Sequence, residues 1–381
     1  MAATTCRPAF SMRTRDAMPM SWIVRRSASR ICLALRIRML MWRPPSGGPS
    51  GSRRTIRLKP DATWTLAPSR GLEVRSSSMS AYVNVNGVIT DAAHAVIPVY
   101  DHGFLYGEGV YEVFRTYHGV PFLFDRHQAR LRASAARIGL DVPFSDGEIE
   151  QRSLATMTAA GVGPASAPGS GVASAEAYVR ILLTRGVGEI TYDPAACPFS
   201  SLVIIAKPIP PTPAEHYERG VKVVMVAEIV RNHPESVSPL IKSNNLINNA
   251  LGMQQAIRAG AAEAIFRNYR GELAECAQSN LFIVSKGVVK TPPLDAGLLA
   301  GITRAFTMEV GASLGIRCDE TPLKDADLLG ADEAFFTNTT KEIVPIVQVD
   351  GRTIGDGLVG PITRTLLAEY RRVAEALSRR V

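Results

Sequence analysis

The chain is short of the residues that build cross-links and metal sites. Its 381 residues include five cysteines, at 6, 32, 197, 276 and 318, with no Cys-x-x-Cys among them. An odd, scattered set argues against a disulfide scaffold and for reduced thiols in a cytosolic protein. The six histidines form no cluster with cysteine at zinc-like spacing, so no metal site is expected. The best apolar run near the N-terminus, Ile31 to Trp42, is broken by Arg36 and Arg38, whereas a bilayer span needs about 20 apolar residues. That segment also lacks the uninterrupted core and small-residue cleavage site of a signal peptide. No internal repeat is present.

Acidic residues are scarce in one part only. Residues 1–78 hold 14 Arg and one Lys against Asp16, Asp61 and Glu73, a net of +12, which leaves −4 for the rest of a +8 chain. The basic character therefore belongs to the head. A nucleic-acid or anionic-membrane partner would have to bind there, and no stacking aromatics or recognition motif accompany the charge. Neither partner is expected. The head reads as a transit peptide, a disordered basic tail or an over-extended gene start with the initiator at Met79; the last is preferred, because Ser78-Met79-Ser80-Ala81-Tyr82 opens patterned sequence abruptly.

The remaining 300 or so residues suffice for two packed domains. Ala81–Val85 and Val88–Thr90 around Asn86-Gly87 predict a hairpin with a primed turn. Strands are expected at Val110–Tyr117 and Val120–Phe124, joined by His118-Gly119. A helix follows over His127–Ile138, ending at Gly139, and a second runs to about Ala160 from a Ser145/Glu148 capping box. Residues 161–174 read as a Gly/Ser/Ala/Pro-rich surface insertion. Val179–Thr184 and Leu202–Ala206 are buried-strand runs, and 207–213 a stiff proline-rich linker. These features place one domain at 79–206 and another at 214–381. The second part is expected to hold a strand at Val221–Val230, a helix at Leu246–Gly260, strands at Ala264–Arg267 and Leu281–Val284, a helix at Gly301–Gly311, a strand at Ala334–Thr337 and a closing helix from Pro361.

Two residues carry chemistry. Lys242, in Pro239-Leu240-Ile241-Lys242-Ser243-Asn244-Asn245, sits at what reads as a strand-to-helix turn, where a buried neutral amine can form a Schiff base with an aldehyde. Glu275, in Glu272-Leu273-Ala274-Glu275-Cys276-Ala277-Gln278-Ser279-Asn280, offers a carboxylate that can hold a pyridine nitrogen protonated. Either residue alone is more simply a solvated surface charge.

The surrounding motifs change that balance. From Met79 to about the C-terminus the chain resembles the class IV (fold-type IV) aminotransferases that use pyridoxal 5'-phosphate: branched-chain aminotransferases, D-amino acid aminotransferases and aminodeoxychorismate lyases. The resemblance implies two α/β domains with the cofactor between them and a homodimer whose partner loop closes each site. It makes Lys242 the Schiff-base residue, which also moves the α-proton, and Glu275 the ring-nitrogen partner. His127-Gln128-Ala129-Arg130-Leu131 matches the family's phosphate motif, with Arg130 on the phosphate. Gly301-Ile302-Thr303-Arg304 resembles its phosphate turn, in which the Ile302 and Thr303 amides cap the phosphate at a helix N-terminus. Thr339 and Thr340, in Thr337-Asn338-Thr339-Thr340, resemble a third phosphate and substrate loop.

On the substrate side, Tyr106 in Asp101-His102-Gly103-Phe104-Leu105-Tyr106 and the pair Tyr178 and Arg180 resemble the branched-chain pattern, where the pair receives the second carboxylate of glutamate. The resemblance thus implies transamination between a branched-chain L-amino acid and 2-oxoglutarate. Two features depart from it. Val110-Tyr111-Glu112-Val113-Phe114 is closer to the D-amino acid type, with Tyr111 near the substrate, and Leu246 and Ile247 stand where the branched-chain enzymes place a tyrosine. Against the D-type, no Arg-x-His pair follows Gly186. His102 and His127 are expected to be structural hydrogen-bonders.

Overall fold

The computed structural model describes residues 81–162 and 176–379. The expected start at Met79 and most of the 161–174 insertion lie outside them. The first part builds one antiparallel sheet of six strands: β1 (Tyr82–Val85), β2 (Val88–Asp91), β3 (Gly109–Tyr117), β4 (Val120–Pro121), β5 (Ala177–Thr184) and β6 (Ser201–Pro208), in the order β2-β1-β6-β5-β3-β4. Asn86 (φ 51°) and Gly87 (φ 99°) both take the left-handed conformation that a primed hairpin turn requires. A short helix, α1 (His102–Leu105), precedes β3; α2 (Phe124–Arg137) and α3 (Asp146–Ala159) cover one face of the sheet. Alternation explains the packing. Val110 and Phe114 on β3 and Val179, Ile181 and Leu183 on β5 point inward against Leu131 and Ala135 of α2 and Ile149 and Met157 of α3, all essentially inaccessible.

The second part builds a mixed nine-stranded sheet from β7 (Val221–Met225), β8 (Glu263–Arg267), β9 (Leu273–Cys276), β10 (Asn280–Ser285), β11 (Val288–Thr291), β12 (Cys318–Glu320), β13 (Glu333–Asn338), β14 (Glu342–Val349) and β15 (Arg352–Thr353). Its order is β12-β11-β10-β13-β14-β7-β8-β9, with β15 on β14. The helices of this part are α4 (Ala214–Glu218), α5 (Ile247–Arg258), α6 (Ile302–Ser313), α7 (Asp325–Leu329) and α8 (Pro361–Ser378). On α8, Leu366 and Tyr370 are buried against Phe306 of α6, so this side of the helix packs into the core, while Leu377 near its end is exposed. Tyr117 and Phe122 from the first part join the same cluster, each edge-to-face with its neighbour.

Four expectations are corrected. The strand expected to reach Phe124 stops at Pro121, because Leu123 turns left-handed (φ 52°) and caps α2, which starts three residues earlier than expected. The strand expected to reach Val230 stops at Met225. Lys242 therefore lies on a long irregular connection between β7 and α5, not at the end of a strand. The proline-rich linker also begins later than expected, since Lys207 and Pro208 still pair with Tyr178 and Ala177 across β6 and β5. Ser145 caps α3 by accepting from the Glu148 amide, but the Glu148 carboxylate turns to Arg152 rather than closing a capping box.

Candidate active site

The cleft between the two sheets gathers residues from distant parts of the chain. Tyr111, Arg130, Lys242, Glu275, Ile302, Thr303 and Thr339, all expected from the sequence, line it. Arg231, Ser279, Asn280, Thr337 and Asn338, which the sequence reading did not single out, line it as well.

Lys242 is fixed by its backbone. Its amide donates to Ser134 Oγ of α2 at 3.1 Å, its carbonyl accepts from the Tyr111 amide at 2.9 Å, and the Asn244 amide donates to Gly109 O at 3.0 Å. The loop from the second part is thus bonded along β3 of the first. The amine lies 4.5 Å from the centroid of the Tyr111 ring, and no carboxylate is within salt-bridge distance of it among the described residues. An amine so placed is free to engage a ligand in the cleft.

Arg130 is fixed through Glu112. Its Nε and Nη2 fork onto the Glu112 carboxylate at 2.7 and 2.8 Å, and Nη1 donates to Ala300 O at 2.9 Å, one residue before the α6 turn. His127, one helical turn before Arg130, places Nδ1 2.7 Å from the same carboxylate. Glu112 is fully buried, yet its carboxyl is held well below the usual range: burial raises it, and the charge and hydrogen bonds of Arg130 with those of His127 outweigh that. Burial lowers the His127 pKa, consistent with a structural role. The sequence reading named Glu112 only as part of a motif; its spacing of 15 and 18 residues from His127 and Arg130 carries no periodic signal.

Glu275 lies at the other wall. Oε1 accepts from Arg231 Nε at 2.8 Å, and Oε2 accepts from Asn280 Nδ2 at 3.2 Å and from the Leu299 amide at 3.1 Å. Burial pushes its pKa up, and Arg231 pulls it back. Between these walls, α6 begins at Ile302 with Gly301 as its N-cap and no side chain capping it. A Cβ at Gly301 would collide with Asn280 Oδ1, so only glycine lets the turn lie against that side chain. Asn338 Nδ2 donates to Ser279 Oγ at 3.2 Å, and Ser279 donates to the buried Glu263 at 2.8 Å, which braces the loop carrying Thr339.

The other expected residues stand further off. Tyr106, Tyr178, Arg180 and Thr340 are not among the residues lining the cleft. Arg180 sets its guanidinium 4.1 Å from the centroid of the Tyr111 ring, which lines the cleft. Tyr178, on the same face of β5, has Lys207 Nζ 5.1 Å from its ring. Tyr106 packs against the rings of His102 and Tyr192. Thr340 bonds Asn338 Oδ1, and its carbonyl accepts from Arg115 Nη1 at 3.4 Å.

The donor set fits a phosphorylated pyridine aldehyde. The Arg130 guanidinium, whose Nη groups keep N–H donors beyond those given to Glu112 and Ala300, and an uncapped helix N-terminus suit the phosphate. The Thr337 hydroxyl, buried on the cleft wall, has no hydrogen-bond partner of its own. The amine and the buried carboxylate suit the aldehyde and ring ends.

Comparison with known proteins agrees. Residues 109–349 match the model of the family described as amino-transferase class IV. The chain is 37% identical to the Putative branched-chain-amino-acid aminotransferase of Methanocaldococcus jannaschii, over 76% of this chain and 96% of that one. It is 31% identical to the D-alanine aminotransferase of Bacillus licheniformis, over 74% and 93% respectively. A branched-chain amino acid aminotransferase from Thermobaculum terrenum, solved in its pyridoxal phosphate form, superposes with a TM-score of 0.67 at 26% identity, covering 78% of this chain and 95% of that one.

Proposed function

Because the chain belongs to the class IV aminotransferases, which use pyridoxal 5'-phosphate, we propose that it moves the amino group of a branched-chain L-amino acid to 2-oxoglutarate. The observation that carries this reading is the meeting of the Lys242 amine, the Glu275 carboxylate, Arg130 and the α6 N-terminus in one cleft. The cofactor, when bound, supplies an aldehyde for the amino group and an electron-poor ring that accepts the charge left at the α-carbon.

The protein's own residues would do the rest. Lys242 Nζ would hold the aldehyde end of the cofactor, and the same amine would carry the substrate's α-proton off and back as general base and acid. Its backbone bonds to Ser134 and Tyr111 hold the side chain over the cleft while it does so. Arg130, steadied by Glu112, and the Ile302 and Thr303 amides bind the phosphate and fix the ring laterally. Glu275 would face the ring nitrogen, while Thr339 would add to the phosphate contacts and Thr340 to those of the substrate. Tyr178 and Arg180 receive the second carboxylate of glutamate or 2-oxoglutarate, with Tyr106 against the side chain. We read the two sheets as two domains joined at 209–213.

The active unit would be a homodimer. Val96, Phe104, Ile190 and Tyr192 expose between 67% and 89% of their surface on neighbouring segments tied by the Asp101–Val187 bridge, an apolar surface suited to a second copy. We place it in the cytosol, a reading that the free thiols of Cys197, Cys276 and Cys318 support; separately, no described helix is long and apolar enough to cross a membrane.

A second reading, D-amino acid transamination, is favoured by Tyr111, which lines the cleft and touches both Lys242 and Arg180. A lyase acting on aminodeoxychorismate keeps the same site. The deciding experiment loads the protein with pyridoxal phosphate and follows its visible absorption on adding L-leucine or D-alanine. A band that is missing in Lys242→Ala and is bleached by L-leucine supports the branched-chain reading. Bleaching by D-alanine alone moves the protein to the D-type, and pyruvate release from aminodeoxychorismate moves it to the lyases.

A further inference from the structure

We infer that Arg231 is the positioning residue for the electron-withdrawing end of the cofactor: its buried ion pair with Glu275 holds that carboxylate charged and turned into the cleft, so that the ring nitrogen facing it keeps its proton. The inference rests on the pyridoxal phosphate reading of the cleft.

The geometry around Glu275 carries it. Three groups reach the carboxylate, and all three donate: Arg231 Nε at 2.8 Å, Asn280 Nδ2 at 3.2 Å and the Leu299 amide at 3.1 Å. The orientation of the Asn280 amide is fixed independently, because the same Nδ2 donates to Leu299 O at 3.0 Å. A protonated carboxyl would need an acceptor for its own O–H, and no acceptor stands among these partners. The remaining lone pairs point to one use, accepting an N–H from the cleft. Arg231 is the only one of the three that brings charge. It keeps that charge under burial, as a lysine in the same place would do less firmly. The pair is closed from water, with side chains 8% and 6% exposed. Burial drives Glu275 toward its neutral form, and Arg231 is the largest influence opposing it.

Arg231 is itself held. Its Nη1 donates to Asn248 Oδ1 at 2.9 Å and Asn249 Oδ1 at 3.4 Å in the first turn of α5. Asn249 Nδ2 donates to Ala277 O at 2.6 Å, two residues beyond Glu275. The guanidinium therefore ties the helix that follows the Lys242 loop to the strand that carries the acid. A buried guanidinium whose only role was packing would need no such alignment on the acid's Oε1.

The test uses holoenzyme loaded with pyridoxal phosphate carrying ¹⁵N in the ring. At neutral pH the wild-type ring nitrogen gives a protonated resonance. In Arg231→Gln the resonance moves to the unprotonated position, and the single-turnover rate with an amino donor falls about 10–100-fold. Arg231→Lys keeps the protonated resonance. A folded Arg231→Gln holoenzyme whose nitrogen stays protonated overturns the inference. Should Arg231→Gln not fold, Arg231→Met decides, because a folded Arg231→Met holoenzyme whose nitrogen stays protonated overturns it equally. Wild-type protein that takes up no pyridoxal phosphate overturns the cofactor reading instead, a result distinct from any of these.

Discussion

Lys242 and Tyr111 are joined twice, by a 2.9 Å hydrogen bond from the Tyr111 amide to the Lys242 carbonyl and by the Lys242 amine standing 4.5 Å from the Tyr111 ring centroid. The residues are 131 apart in sequence, so the reactive amine is placed by a strand it does not belong to. Replacing Lys242 with alanine removes no ion pair found among the described residues. Lys242→Ala is therefore expected to melt within a few degrees of wild type while kcat falls at least about 10²–10⁴-fold, the range spanned by acid–base catalysis alone. Paired calorimetry and single-turnover assays check both halves.

Ser134 is the third support of the same lysine. Its hydroxyl is fully buried and accepts the Lys242 amide. Ser134→Ala leaves that amide without its acceptor and should cost about 1–3 kcal/mol of stability. Denaturant titration measures the loss, and the visible band of the loaded protein reports whether the lysine still engages.

The turn at Gly301 has no room for a methyl group, because the added Cβ would strike Asn280 Oδ1. Asn280 also holds Glu275 and Leu299 O, so the displacement spreads to the acid. Gly301→Ala should weaken pyridoxal phosphate binding at least about tenfold, which is roughly 1.4 kcal/mol. Equilibrium dialysis measures it directly.

Acid should act on Glu112 and Glu275 in opposite senses. The Glu112 carboxyl is held well below an ordinary glutamate value of 4.5, so its contribution is fully present above 4.5 and is lost as pH falls through the folded value. Glu275 is raised above 4.5, so the folded state binds its proton more tightly and stability falls as pH rises from 4.5 through the folded value. Glu112→Gln, measured without cofactor, should be less stable than wild type by about 3–5 kcal/mol at pH 7, because a buried pair is broken. It should lose less than wild type on acidification. Urea midpoints at neutral and acid pH test the sign.

Arg180→Met separates the two halves of the reaction. With the guanidinium gone, KM for 2-oxoglutarate should rise about 10–150-fold, equivalent to 1.5–3 kcal/mol for hydrogen bonds to a charged group. KM for L-leucine should stay within a few-fold. Equal losses for both substrates would remove Arg180 from the second-carboxylate role.

Sequence pattern recovered most of the elements and many of the residues that meet in the cleft. Periodicity exposed α2 and α8, and paired turn residues exposed the hairpin at Asn86-Gly87. It misjudged ends where a single residue decides, as at Leu123, whose left-handed backbone no propensity foretells. It overlooked Arg231 and gave Glu112 no role. Each is an ordinary charged residue in sequence and becomes special only by meeting a partner far away, Arg231 with Glu275 and Glu112 with Arg130.

The sequence by itself determined the chemistry available: an amine, a carboxylate, an arginine and a Gly-Ile-Thr turn, types whose reactivity is intrinsic. Only the tertiary structure decided their charge and aim. Strand β3 bonds the Lys242 loop, Glu112 orients Arg130, and Arg231 balances Glu275. Those effects depend on distance and exclusion of water, which chain spacing does not encode. A motif fixes neighbours along the chain and not what its side chains face, so Arg180 and Tyr111, each in its own motif, meet only in the folded chain.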